Sequence, residues 1–158
     1  MSCLKEEAIK EKGKKPVYIT KSNFETIESK PAQGFSKVGK IFKLGNRIYI
    51  SDKGSGVHII DNSNPVLPSK LAFISIFANN DVAVKNNIMY ADNSSDLIAI
   101  DISDIHNVNL TKRLVNVFED NLQEYPQSYS GYFECVDESK GYVIDWVDAD
   151  LENPECQR

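Results

Sequence analysis

"GVHIIDNSNP", residues 56–65, decides the fold, because forty positions later the chain reads "DLIAIDISDI", residues 96–105. In both lines a run of mostly aliphatic residues has the length and alternation of a strand, an aspartate closes it, and turn-forming polar residues follow. The match spreads outward on both sides. At an offset of 40, Phe42 falls on Val82, Leu44 on Val84, Asn46 on Asn86, Ile48 on Ile88 and Asp52 on Asp92. Asp61 falls on Asp101 and Ser63 on Ser103, and further along Phe77 meets Phe118 at an offset of 41. Self-similarity at such a period signals a repeat architecture.

Each copy divides into four strand-sized pieces. In the first these are "KIFKL" (40–44), "RIYIS" (47–51), "VHIID" (57–61) and "KLAFISIF" (70–77). In the second they are "DVAV" (81–84), "IMYAD" (88–92), "LIAID" (97–101) and "RLVNVF" (113–118). β-Branched and aromatic residues fill the pieces, and Gly, Asn, Asp, Ser and Pro fill the gaps. "LGNR" (44–47) and "KNNI" (85–88) suit two-residue hairpin turns, since Gly and Asn tolerate positive φ. No stretch between the strands has helical periodicity, which excludes parallel βαβ units. The expected fold class is therefore all-β, with β-propeller-like antiparallel repeats: two four-stranded blade-like units plus terminal strands. Two blades do not close a ring. "PVYIT" (16–20) and "GYVIDWV" (141–147) are expected to cover the open edges, with self-completion by oligomerisation or membership of a larger propeller as alternatives. "ESKPAQGFS" (28–36) reads as a loop.

The lines "NRIYISDKGSGVHIIDNSNPVLP" (46–68) and "NNIMYADNSSDLIAIDISDIHNV" (86–108) resemble the LVIVD repeat, a motif of bacterial surface proteins with β-propeller-like architecture. The second copy has Ile105 where that pattern usually has Pro, and the resemblance covers about residues 37–120. "NNDVAVKNNIMYADNSSDLIAIDIS" (79–103) is in particular similar to lipoproteins of Bacteroidetes-type bacteria. The resemblance implies an extracytoplasmic module of the cell envelope and very little about reaction chemistry.

Residues 1–15 read as a flexible polar tether and 16–158 as one β-repeat domain, with units about 37–78 and 79–120 and a non-repeated segment 121–158. In "MSCLKEEAIKEKGKK", Cys3 is the candidate lipid-carrying cysteine of a lipoprotein whose signal has been removed. A frayed terminus with an incidental cysteine is the alternative. No apolar run reaches the ~20 residues of a membrane helix, so a membrane enters only through that lipid. A net charge of −5 disfavours nucleic acid as a partner. Between Glu119 and Glu155 acids dominate, with Lys140 the only Lys or Arg, as on a solvated surface.

Cys135 and Cys156 are a disulfide candidate that closes a loop of about 20 residues, worth roughly 3 kcal/mol in the chain-entropy model. Two unbridged thiols are the alternative. No zinc set is legible, because neither a CxxC pair nor a neighbouring His completes four ligands. The recurrent Asp52, Asp61, Asp92 and Asp101 read as turn-stabilising carboxylates, because a residue repeated at one blade position serves the blade. A calcium loop is the sharper alternative for Asp92–Asp96 and for the Asp145, Asp148, Asp150 and Glu152 cluster, but neither segment has the central Gly and terminal Glu in register. His58 and His106 fall at different repeat positions, and no catalytic triad, phosphate loop or dinucleotide fingerprint accompanies them.

The segment "NLQEYPQSYSGYFE" (121–134) sets Tyr125, Tyr129, Tyr132 and Phe133 among Pro, Ser and Gly. With Trp146 these are the candidate ligand-binding residues, because aromatics on a loop bury area at low entropic cost. Packing of the same rings back onto the sheets is the alternative. The expectation is a non-enzymatic binding or scaffolding module for a protein or carbohydrate, with no catalytic residue and no cofactor. A metal-assisted hydrolase with a carboxylate-lined site is the runner-up.

Overall fold

The structure, a computed structural model, describes residues 9–118 and 124–158. In chain order the described elements are strand β1 (Lys10–Ile19), helix α1 (Lys21–Glu25), and strands β2 (Glu28–Pro31), β3 (Val38–Leu44), β4 (Arg47–Asp52), β5 (Gly56–Asp61) and β6 (Ser69–Ser75). They continue with β7 (Val82–Lys85), β8 (Ile88–Asn93), β9 (Asp96–Asp101), β10 (Asn109–Leu114), β11 (Tyr132–Phe133), β12 (Tyr142–Glu152) and β13 (Cys156–Gln157). Seven of the eight pieces expected from the repeat are strands; of "RLVNVF" only Arg113 and Leu114 are, because the fourth strand of the second copy lies earlier, at Asn109–Leu114. The chain separates into two compact units, 22–121 and the joined ends 1–21 with 122–158, where one domain from 16 to 158 was expected.

In the repeat unit, antiparallel pairing gives the sheets β2-β6-β5-β4-β3 and β10-β9-β8-β7. These are the expected blade-like sheets, and neither is closed. Asn86 and Asn87 form the β7–β8 turn with φ of 50° and 61°, and Gly45 turns β3 into β4 at 57°. One contiguous core joins Tyr49, Val57, Ile59 and Ile74 of the first sheet to Val82, Met89, Ile98 and Ile100 of the second. Period-two alternation puts these aliphatics on one face of each strand, and their burial is the main force holding the sheets together.

Pairing corrects the repeat alignment. Asp52 lies opposite Gly56 across a three-residue loop, whereas Asn93 lies opposite Asp96 across Ser94 and Ser95. Similarly, the Asn62 N–H donates to the Asn46 carbonyl, and the Ile102 N–H donates to that of Asn87. The β3–β4 hairpin therefore superposes on β7–β8 at an offset of 41, and only from β5 onward does the offset become 40. Tyr49 corresponds to Tyr90, not to Met89, and Asp52 to Asn93, not to Asp92. A shift of one residue exchanges the faces of a strand. Accordingly Tyr49, on the face between the sheets, is 3% exposed, and Tyr90, on the opposite side of the second sheet, is 41% exposed.

Three other expectations are corrected. Residues 28–31, read as loop, form β2, where Glu28, Ser29, Lys30 and Pro31 pair with Ser75, Ile74, Phe73 and Ala72. It is β2 that covers the β6 edge. The terminal strands β1 and β12 instead pair with each other, from Lys10 opposite Glu152 to Ile19 opposite Tyr142.

Residues 10–15 are therefore not tether. They alternate along β1 so that Lys10, Lys12 and Lys14 stand opposite Glu152, Asp150 and Asp148. Lys12 pairs with Asp150, and Lys14 Nζ lies 2.8 Å from Asp148. Opposite charges directly across an antiparallel pair are favourable. The sheet is completed by β11, parallel to β1, and then β13, in the order β12-β1-β11-β13. Gly13 lets β11 approach, since a Cβ there would lie 2.4 Å from both the Tyr132 carbonyl oxygen and a Leu151 methyl.

Candidate functional site

The recurrent carboxylates are engaged by the backbone. Asp61 accepts from the Ser63 N–H at 2.8 Å and from its hydroxyl at 2.6 Å, and Asp101 accepts from the Ser103 N–H at 2.8 Å. These are the Asx turns expected at the strand ends. The Ser63 and Ser103 hydroxyl and amide hold both carboxyls below the usual carboxylate range. Asp52 accepts from the Ser36 and Lys37 N–H groups, and Asp92 from those of Asn80 and Asp81. Although they differ in register, each clamps the two residues that precede the first hairpin of its sheet. Buried Asn79 links the sheets, accepting the Ser51 hydroxyl at 2.9 Å and donating to Asp92 at 2.8 Å.

His58 is fully buried, with Nε2 3.1 Å from Asp52 Oδ2 and its ring between those of Phe35 and Phe73, 4.4 and 4.7 Å away. Its Nδ1 has no hydrogen-bond partner. Its repeat counterpart is Ile98, so His58 is a core residue of one copy only. Burial pushes the Asp52 pKa up, but the Lys37 amide, His58 and the Ser36 amide outweigh it and hold the carboxyl below its ordinary value of 3.8. A depressed folded-state pKa favours the native state when the group is ionised. That contribution is complete above the ordinary carboxylate range and is lost as pH falls through the folded value. Asp52→Asn is therefore expected to lower the thermal midpoint at about pH 7 and to reduce its fall toward about pH 3. Parallel melts of both proteins across that range check this, and an unchanged acid dependence refutes it.

A second buried polar cluster was not legible in the sequence. Arg113 Nη1 lies 2.7 Å from Asp96 Oδ2 and donates to Asn93 Oδ1 at 2.7 Å, and Asp96 accepts from the Asn116 N–H at 3.1 Å. In register, Asp96 replaces Gly56, Asn93 replaces Asp52 and Arg113 replaces Phe73. The two copies thus satisfy the same place differently, one with a His–Asp pair among aromatic rings and the other with an Arg–Asp pair. The signal in the sequence is Asp96 at the head of "DLIAID", which falls on Gly56 at the offset of 40, but its partners Asn93 and Arg113 follow only from the strand pairing.

The aromatic candidates divide. Phe133 and Trp146 are buried, edge to face at 5.5 Å and 87°, and form the core of the terminal unit with Val143. The structure places these two in the core: β12 has an extra residue at Ile144, between the partners of Tyr18 and Val17, and this bulge resets the alternation so that Trp146, three residues on, faces inward with Val143. Tyr125 stays at the surface, 37% exposed, with the Arg158 guanidinium carbon 3.9 Å from its ring centroid. Tyr129 is half-buried. Its hydroxyl donates to the Tyr132 carbonyl at 3.2 Å, and Lys14 Nζ is 5.7 Å from its ring centroid. Tyr132, also half-buried, lies in β11 between β1 and β13. A cleft of about 280 Å³ opens beside Tyr129, lined by Lys12, Gly13, Asp148, Ala149 and Asp150.

Cys135 and Cys156 are bridged, with Cα atoms 5.3 Å apart. Cys3 and residues 121–123 of the tyrosine-rich segment lie outside the described residues. The acids proposed for calcium are drawn into other contacts, Asp92 at the Asn79–Asp81 backbone and Asp148 and Asp150 opposite lysines. Among the described residues no group of three or more His, Cys, Asp or Glu side chains is placed to hold a metal ion. No described helix is long and apolar enough to cross a membrane.

No curated protein and no solved structure matches the chain. The LVIVD repeat matches it twice, over residues 37–77 and 78–115, together half of its length. The first match covers β3 to β6 and the second β7 to β10, with β2 outside both, and the chain belongs to the LVIVD repeat family.

Proposed function

We propose that this β-repeat protein is a non-enzymatic binding or scaffolding module of the bacterial cell envelope, exported and tethered by a lipid on Cys3. Its ligand, a protein or a carbohydrate, is taken by the surface around Tyr125, Tyr129 and Tyr132. The observation that carries this reading is the exposed Tyr125 ring stacked with Arg158, on a unit that also holds the Tyr129 cleft. Rigid aromatic surface beside fixed charges suits recognition at low entropic cost. The Cys135–Cys156 bridge supports an oxidising compartment. The recurrent carboxylates support a structural role, since turns and clamps occupy their oxygens.

Arrays of immobilised glycans and peptides, probed with the wild type and with a Tyr125→Ala, Tyr129→Ala variant, test the site. A wild-type ligand whose affinity falls about tenfold or more in the variant, at an unchanged thermal midpoint, is the expected result. Equal binding by the two proteins, or no binding by either, overturns it. Intact mass of the native protein tests the tether separately, and an unmodified Cys3 removes that part of the proposal.

A further inference from the structure

The two repeat sheets differ at one edge. In the first, β6 carries β2 as a fifth strand. The corresponding strand of the second is β10, because Lys112, Arg113 and Leu114 lie opposite Ala99, Ile98 and Leu97 as Ala72, Phe73 and Ile74 lie opposite Ile59, His58 and Val57. Among the described residues no strand pairs with the outer side of β10. Such an edge presents a row of backbone donors and acceptors ready to take another strand. Five of the six β10 residues are exposed, and the apolar side chains of Leu114 and Val115 are open to 45% and 66%.

Charge selects the occupant. Lys112 stands exposed within the edge. A second copy pairing edge to edge about a two-fold axis near Lys112 brings like charges together, which is unfavourable. A strand with a carboxylate at that place gains instead. We propose that β10 is a β-augmentation site for an extended segment of a partner protein, with an acidic residue opposite Lys112 and apolar residues toward Leu114 and Val115. The internal precedent gives the register: β2 on β6 sets Pro31 opposite Ala72, the counterpart of Lys112.

The probes are two synthetic peptides of the β2 segment "TIESKPAQ", residues 26–33, both with Glu28→Val and Ser29→Leu to set apolar residues opposite Val115 and Leu114, one with Pro31→Glu and one with Pro31→Lys. They are titrated into the full chain while its amide NMR spectrum is followed. The Pro31→Glu peptide is expected to shift amides of residues 109–115 and to bind roughly two- to fivefold more tightly than the Pro31→Lys peptide. In a Lys112→Glu protein, whose changed side chain lies at the surface, the order reverses. Equal binding of the two peptides by the wild type, shifts confined to other strands, or no shift at millimolar peptide overturns the proposal.

Discussion

Replacing Gly56 with valine is expected to unfold the first repeat sheet at a temperature more than about 10 °C below the wild type. Gly56 opens the line "GVHIIDNSNP", and its φ is +143°, a conformation that L side chains rarely adopt. A Cβ there would lie 2.0 Å from the Ile74 carbonyl oxygen and 2.9 Å from the Ile76 nitrogen. Neither atom can move alone. Ile74 is in β6, paired with Val57, and the Ile76 N–H donates to the Ser55 carbonyl at 3.0 Å. Backbone strain and the clash together are worth about 3 kcal/mol. Thermal melts by far-UV circular dichroism measure this, and a fall of less than about 3 °C contradicts it. The second repeat has Asp96 at this place, outside the left-handed region, so its hairpin tolerates a side chain.

Removing the disulfide is expected to be as costly but confined to the terminal unit. The bridge joins residues 21 positions apart, and chain entropy assigns such a loop about 3 kcal/mol. The core that remains in this unit is small: buried Phe133, Val143 and Trp146, with partly buried Tyr18 and Val136 against them. A sheet with so little apolar burial depends on a covalent link. Trp146 is the chain's single tryptophan, so its fluorescence reports on this unit alone. In a Cys135→Ser, Cys156→Ser variant the fluorescence transition in urea should move to much lower denaturant. The circular dichroism of the repeat sheets should hold its wild-type midpoint. A fluorescence midpoint that does not move contradicts the prediction.

Particular residues show how far the sequence could be read. Asp61 and Asp101 were legible as Asx turns because the partner lies two residues away. Asn86 and Asn87 were legible as a hairpin turn for the same local reason. The offset was misread because Asp52 and Asp92 look equivalent, and both do clamp backbone N–H groups. Only pairing across the loops, three residues in one copy and two in the other, separates them. Of the five aromatic candidates, the surface reading suits Tyr125. Phe133 and Trp146 turned inward because β12 pairs with β1, a contact between residues more than a hundred positions apart that no local pattern encodes.

By itself, then, the sequence determined most strands of the two repeats, their hairpin turns, the repeat itself and the capacity of its two C-terminal cysteines to bridge. Period-two alternation and positive-φ residues are local constraints, and a chain states them wherever they occur. The tertiary structure decided which face of each strand is buried, that β2 and not a terminal strand closes β6, and that the lysines of β1 meet the acids of β12. Those outcomes depend on pairing between distant segments, where a shift of one residue exchanges core for surface.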